Sequence, residues 1–325
     1  MGTGADPLRR HACDAAVNPI RRLHQQLARA VWKRLDGREE RAFRPQWFLL
    51  AGLGGPELRC RPDPKTLSPI LPPEDRFWAD PFAWSRGASR YVFCEEYPFS
   101  TRRGRISVLE LGPDLLPKGA AVPIIDEPRH LSYPFLFEYQ GQLYMVPETA
   151  RSRRVDLYRC TQFPHRWILE GSLMTGIEAA DATLVEHGGR WWLFCAARHG
   201  KERINESLLA FHADSPLSDV WTPHKRNPLV RDYSGGRPGG RIFRDSTGAL
   251  MRPAQDCVPR YGYGLVLHRI ETLTPERYAE RRIWRISGRT AGGWRALHHL
   301  DWHDGLLVMD AQRLIPVSAA QGADA

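Results

Sequence analysis

Asp80-Pro81-Phe82, then Gly87, then Tyr91-Val92-Phe93-Cys94-Glu95 is the stretch that decides the fold, because its pattern returns four more times. The second copy is Tyr133-Pro134-Phe135-Leu136-Phe137, Gly141 and Leu143-Tyr144-Met145-Val146-Pro147-Glu148. The third is Asp181-Ala182-Thr183-Leu184-Val185, Gly188-Gly189 and Trp191-Trp192-Leu193-Phe194-Cys195. The fourth is Gly240-Arg241-Ile242-Phe243-Arg244, Gly248 and Leu250-Met251-Arg252-Pro253. The fifth is His298-His299-Leu300-Asp301, Asp304-Gly305 and Leu306-Leu307-Val308-Met309-Asp310. Each unit reads as a strand, a glycine turn and a second strand. The spacing, roughly 50 to 60 residues, is that of propeller blades rather than helical solenoids. The expected fold is therefore all-β, a five-bladed β-propeller. Such a ring brings the first strand of every blade to one axis.

Working outward, third strands are expected at Ile106 to Leu111, Val155 to Cys160, Leu208 to His212 and Leu265 to Ile270. The fifth unit has no such strand after it. Trp47-Phe48-Leu49-Leu50-Ala51, with Leu67 to Leu71, is expected to complete that blade and close the ring, which removes exposed sheet edges. Helices should be few. Thr274-Pro275-Glu276-Arg277-Tyr278 reads as a capped turn or short helix between blades. Ser234-Gly235-Gly236-Arg237-Pro238-Gly239-Gly240 is rich in glycine but lacks the Lys-Ser/Thr and helix of a phosphate loop, so it reads as a tight lead-in to blade four.

Ahead of the ring, Asn18-Pro19 signals a helix start, and Gly37 a stop. Ile20, Leu23, Leu27, Val31 and Leu35 share one helical face, and Arg21, Arg22, Arg29 and Lys33 lie opposite. Such a basic amphipathic helix suits an anionic membrane surface. Packing on the propeller, or on a partner, is the competing reading. The expected organisation is a basic extension over 1–45 whose first 17 residues are disordered, a propeller over 46–317, and a disordered tail over 318–325.

The 325 residues are 42% hydrophobic, enough for a large core. No apolar run approaches the length of a membrane span, and the N-terminus lacks a secretory core. The six cysteines form no CxxC, which suits reduced thiols and a cytoplasmic setting, with peripheral contact at the inner membrane surface through the helix. The net charge is +9, but 13 Lys/Arg against 7 Asp/Glu lie at or before Lys65, so most of the excess is N-terminal. That argues against a nucleic-acid partner for the body.

The aligned first positions of the five units are Asp80, Tyr133, Asp181, Gly240 and Leu297, with His298 next. Two aspartates of nonadjacent blades then face one funnel. Paired carboxylates are what glycosidic chemistry requires, one ionised and one tuned to move a proton. Taken singly, Asp80 is also an ordinary turn aspartate before proline, and Asp181 a strand-capping residue. Arg241 and Arg252 can grip a carboxylate or phosphate, or serve a buried Arg–Asp network such as Arg252 with Asp256. Trp78, Tyr133 and Trp302 can face sugar rings or pack between blades. His298, His299, His303 and Asp304 have a metal-like composition. On an alternating strand His298 and His299 would point apart, so no metal site is read from them.

Phe77-Trp78-Ala79-Asp80-Pro81, Ala180-Asp181-Ala182-Thr183 and His298-His299 resemble the five-bladed propeller glycosidases, the arabinanase, xylosidase and invertase-like group. The resemblance implies Asp80 as base or nucleophile, Asp181 as the residue that tunes the acid and holds substrate, and His298 as an axial histidine beside a bound ion. No other cofactor is implied. In that group the acid is a glutamate, usually from blade four, and blade four has none at its start. Glu95, Glu96 and Glu148 end second strands in blades one and two, and Glu148 is taken as the stand-in acid. A wider resemblance covers nearly all of Phe77 to Arg313. Its motifs are Glu127-Pro128-Arg129-His130-Leu131-Ser132-Tyr133-Pro134-Phe135, Val146-Pro147-Glu148-Thr149, Ala180 to Leu184, Arg237 to Arg241 and Arg252-Pro253-Ala254-Gln255-Asp256. They are similar to the propeller region N-terminal to the transferase domain of plant glucosamine inositolphosphorylceramide transferases. Related bacterial proteins carry that region alone or beside sugar-formyltransferase-like domains. The resemblance implies cell-surface glycan or glycolipid synthesis, with a glycan, glycolipid or sugar nucleotide as partner. The expected substrate-binding set is Trp78, His130, Tyr133, Arg241, Arg252, Gln255, Asp256 and His298. Sugar transfer or binding, glycoside hydrolysis by Asp80 and Asp181, and a non-catalytic scaffold for a separate transferase all remain open at this point.

Overall fold

The computed structural model describes residues 19–39, 43–54, 61–198 and 203–316, with the side chains of 19, 33–39 and 150 left aside. The expectations for 1–18 and for the tail after 317, and Cys13 and Cys60, lie outside the described residues. Five antiparallel sheets ring an axis. Blade one runs Arg76–Arg86, Ser89–Pro98, Arg105–Leu111 and Val122–Ile125 from inside out. Blade two runs Ser132–Tyr139, Gln142–Glu148, Arg154–Gln162 and Arg166–Thr175, and blade three Ala179–His187, Arg190–Ala197, Ser207–Ala213 and Thr222–Pro223. Blade four has a split inner strand, Ser234–Pro238 and Phe243–Arg244, followed by Leu250–Asp256, Gly264–Leu273 and Tyr278–Ser287.

Blade five is built from both ends of the ring. Leu300–His303 and Leu306–Pro316 are joined by Phe43–Leu53 and then Ser68–Ile70. Phe43–Leu53 pairs with Leu306–Pro316 along its whole length, with Leu49 opposite Asp310. Burial explains why it belongs there. Phe48, Leu49, Leu50 and Ala51 are buried, and the stretch fills the seams on both sides of blade five. The remaining seams are filled the same way, by large apolar side chains such as Phe82, Phe93 and Phe135 between blades one and two, and Trp192, Phe194 and Tyr278 between blades three and four.

Three details differ from the sequence reading. Ser234–Pro238 is itself the inner strand of blade four, not a lead-in to it. Its glycines permit backbone contact with neighbours: a Cβ on Gly236 would lie 2.3 Å from the carbonyl of Glu206, and one on Gly240 only 1.7 Å from that of Leu300. Thr274 to Arg277 is the hairpin turn inside blade four rather than a helix between blades, with Thr274 Oγ1 accepting from the Arg277 amide at 3.0 Å. The N-terminal helix spans Pro19–Glu39 and passes through Gly37, which does not stop it. Its polar face docks on the loops at the funnel end of blades three and four. Arg22 forks onto Glu206, Arg21 and Gln25 reach Asp232, and Arg29 donates to the Cys257 carbonyl and covers the Tyr233 ring.

The closing strand carries four large buried side chains, Trp47, Phe48, Leu49 and Leu50. At about 1.5–3 kcal/mol each their burial rivals the ~5–15 kcal/mol net stability of a domain. A chain starting at residue 61 is therefore expected to lose its cooperative thermal transition and to aggregate, whereas one starting at residue 43 retains the transition. Circular dichroism melting with light scattering checks both.

Candidate functional site

The inner strands carry a local distortion at one repeat position. Asp80, Tyr133 and Asp181 have φ of 51°, 47° and 56°, in the left-handed region, and Gly240 has φ 136° at the aligned place in blade four. In blades one to three the strand pairing skips there, between Ala79 and Phe82, Ser132 and Phe135, and Ala180 and Thr183. These are bulges, which turn side chains out of the regular alternation and occur next to functional sites. Backbone of this kind costs about 1–3 kcal/mol per residue, and Asp tolerates it better than Tyr. The bulges aim Asp80 and Asp181 at the axis. The second strands supply Glu95, Glu148 and Asp310 from blades one, two and five.

Two cations organise these five carboxyl groups. Arg237 lies in the glycine-rich inner strand of blade four. Its Nε is 2.6 Å from Asp181 Oδ2, and its Nη2 is 3.2 Å from Oδ1. Nη2 also approaches Glu148 Oε2 at 3.4 Å, Nη1 donates to Asn205 Oδ1 at 2.8 Å, and the guanidinium covers the Tyr261 ring. Gln255 adds a 3.0 Å bond to Asp181 Oδ2. On the other side, His298 Nδ1 lies 2.7 Å from Asp310 Oδ2, and its Nε2 lies 3.5 Å from Asp80 Oδ1. Trp47, from the closing strand, stacks on the His298 ring at 4.0 Å. Asp310 also accepts from the amides of Asp80, His298 and His299. His298 and His299 precede the strand rather than lying on it, so both face Asp80; His299 Nδ1 is 3.7 Å from the same Oδ1. The expectation that they point apart is corrected by that placement.

Burial sets the protonation pattern. Desolvation pushes Asp80 up to about 7, against the pull of His298 and with the push of Asp181 and Asp310. Desolvation, reinforced by neighbouring carboxylates, drives Glu95 and Glu148 well above the usual carboxylate range. Burial opposes charge on Asp310 and His298, but each overcomes it for the other: Asp310 is held low and His298 high. The result is two salt-linked pairs, Asp181 with Arg237 and Asp310 with His298, beside two neutral glutamic acids and one aspartate poised near neutrality. That set can both donate and accept protons. His130 is kept neutral mainly by burial; its Nδ1 accepts from the Gly104 amide at 2.9 Å, so Nε2 carries the proton and faces Glu95 Oε1 at 3.5 Å. Among the described residues, the group able to hold a cation is Asp80, His298 and Asp310, whose candidate ligand atoms lie within 4.8 Å of one another.

The expected site residues divide. Asp80, Asp181, Glu148, Gln255 and His298 meet in this cluster, with His130 at its edge. Tyr133 lies one step deeper, its hydroxyl 2.9 Å from Thr183 Oγ1 and 3.0 Å from the Gly240 amide. Arg241 crosses the axis to Asp301 at 2.9 Å and to the Leu136 carbonyl, so it ties blades two, four and five together. Arg252 does not reach the cluster. It is 1% exposed and bound to Glu280 and the Gly235 carbonyl within blade four. Asp256 pairs with Arg285, not with Arg252. Trp78 packs in the seam between blades five and one, and Trp302 donates to the Gly54 carbonyl at the opposite end of the ring. Arg237, Glu95, Asp310, Asn205 and Tyr261 complete the site beyond the expected set. The repeat held the signal for two of them, since Glu95 and Asp310, like Glu148, end their units.

The fold is that of the five-bladed propellers found in glycoside hydrolases. The catalytic domain of a Coprinopsis cinerea family 62 α-L-arabinofuranosidase superposes with TM-score 0.57 at 10% identity, covering 75% of this chain and 94% of that one. Zg3597, a family 117 glycoside hydrolase from Zobellia galactanivorans, gives TM-score 0.51 at 10% identity over 82% and 90%. These likenesses establish the fold. The chain belongs to the family described as "Glucosamine inositolphosphorylceramide transferase 1, N-terminal", which matches residues 69–311. Glucosamine inositolphosphorylceramide transferase 1 of Oryza sativa subsp. japonica is 40% identical over 237 residues, and that of Arabidopsis thaliana 35% over 236. The match takes in 69% of this chain but 31% and 30% of those relatives, so the chain spans less than a third of their length.

Glu95, Glu148 and Asp80 bind their protons more tightly folded than unfolded, and so does His298. The stability they contribute is present below their ordinary pKa and is lost as pH rises through the folded values. The thermal midpoint is expected to fall from mildly acidic pH toward pH 9. Glu95→Gln, which keeps the neutral form, should flatten that fall. Differential scanning calorimetry across pH checks it.

Proposed function

We propose that this chain is a carbohydrate-active propeller of cell-surface glycan or glycolipid synthesis, which takes a sugar at the funnel end of its axis and acts on it there. One observation carries the reading: carboxyl groups from four of the five blades converge with Arg237 and His298 in a single desolvated space. Family membership supports the glycolipid context, because the curated relatives are transferases for glucosamine inositolphosphorylceramide. The four described cysteines, Cys94, Cys160, Cys195 and Cys257, are buried free thiols, which suits a cytoplasmic setting.

In this reading Asp80 is the base or nucleophile. Its protonation balance near neutrality, set between burial and the pull of His298, lets it take up or release a proton during turnover. Asp181 is held in place by Arg237 and Gln255 and positions the substrate. Glu148, neutral and hydrogen-bonded to Asp181, gives the proton to a departing oxygen, and Glu95 is a second neutral acid within the same cluster. His130, Arg237 and Tyr261 line the solvent side, where a sugar or the phosphate of a sugar nucleotide enters. An ion near the axis would take Asp80, His298 and Asp310 as ligands.

Glycoside hydrolysis is the second reading, favoured by the coexistence of one ionisable aspartate with neutral glutamic acids. Both readings face one experiment. Sugar nucleotides and surface glycans are screened by thermal shift on the unmutated protein, Asp80→Asn and Asp181→Asn. A ligand at 100 times its Kd should add about 2.7 kcal/mol of stability to the unmutated protein. Asp181→Asn should lose that shift, because Arg237 is released. Asp80→Asn should keep it while turnover, by transfer or cleavage, drops about a hundredfold or more. If no sugar shifts the midpoint, or both variants respond like the unmutated protein, the axial site is not the binding site. If Asp80→Asn keeps full turnover, the carboxyl chemistry is wrong.

A further inference from the structure

The N-terminal helix is docked with its polar side inward, the reverse of the usual arrangement for an amphipathic helix on a globular surface. Arg22, Gln25 and Arg29 face the propeller, and Arg22 and Gln25 are fastened to Glu206 and Asp232. The apolar stripe is turned out. Ile20, Leu23, Leu27 and Val31 are 64%, 55%, 57% and 57% exposed. The geometry points to this stripe as a membrane-docking surface whose occupant is an anionic phospholipid layer. This proposal goes beyond the reading of the axial site and does not depend on it.

Charge complementarity selects the occupant. The helix Pro19–Glu39 carries six Lys/Arg against two Asp/Glu. Arg21 stays half exposed beside the stripe although it pairs with Asp232. Across the crevice that the helix forms with blade four stands Arg285, also exposed, and Arg289 covers the ring of Trp32. An apolar strip bordered by guanidinium groups matches acyl chains below phosphate headgroups. A second copy of the chain is a poorer fit. Four partly exposed aliphatic side chains on one helix offer far less than the about 800 Å² per partner of a stable protein interface, and the bordering cations would repel their copies.

The placement has a geometric sense. The helix is held by Glu206, Asp232 and Cys257, which lie on loops at the funnel end of blades three and four. A chain lying on lipid through the stripe therefore brings the funnel end close to the headgroups.

The test is co-sedimentation of the full chain with vesicles of pure phosphatidylcholine and with vesicles containing one-third phosphatidylglycerol. The unmutated protein is expected to sediment with the anionic vesicles and to be released by high salt. The double variant Leu23→Glu/Leu27→Glu should reduce the bound fraction about tenfold or more, with an unchanged thermal midpoint because both side chains are exposed. The neutral pair Leu23→Gln/Leu27→Gln should weaken binding as well, which separates lost apolar contact from added charge and remains informative if the charged pair disturbs the helix. Absence of binding to anionic vesicles overturns the proposal. So does equal binding by the glutamine variant. A dimer in solution that these substitutions convert to monomer would reassign the stripe to self-association.

Discussion

Asp310 is the residue on which ring and site both depend. It sits on the strand that the N-terminal Phe43–Leu53 segment closes against, directly opposite Leu49. Its carboxylate accepts from the amides of Asp80, His298 and His299 and faces the His298 ring at 2.7 Å. A buried carboxylate is tolerated when it is paired and its lone pairs are filled, and this one is. The seam between the first and last blades is thus held by the same group that charges His298. Closure of the fold and polarisation of the site are one interaction seen from two sides.

Around that fixed point the site solves an electrostatic problem. Five carboxyl groups in one desolvated space cannot all be ionised. Two of them take up the available positive charge, Asp181 from Arg237 and Asp310 from His298. The others relieve the crowding by holding protons, Glu95 and Glu148 firmly and Asp80 near the balance point. The acid-base inventory follows from the ratio of carboxyls to cations rather than from any one residue.

The ring itself could be read in the chain because each blade repeats its turn glycine and an apolar second strand. The closing role of Trp47 to Ala51 followed from counting edges. Asp80 and Asp181 were legible because they share a phase in the repeat. Arg237 was not, because it lies in the first half of the split inner strand of blade four, ahead of Gly240, the position aligned with the aspartates. Arg252 drew attention by its motif, but its partner Glu280 lies on the fourth strand of its own blade, a pairing no periodicity encodes. The helix was legible as amphipathic. Which side it would present was not, because the partners of its polar side, Glu206 and Asp232, lie in loops far along the chain.

The left-handed backbone at Asp80 and Asp181 has a consequence for how this surface can diversify. A residue with φ near +50° admits glycine, asparagine and aspartate readily and most other side chains poorly. Inheritance at these two points is therefore filtered by chirality before chemistry is tested. At Asp80, exchange of aspartate for asparagine preserves the contour of the funnel while silencing its acid-base behaviour. A lineage of such propellers can drift between reagent and receptor without rebuilding the walls.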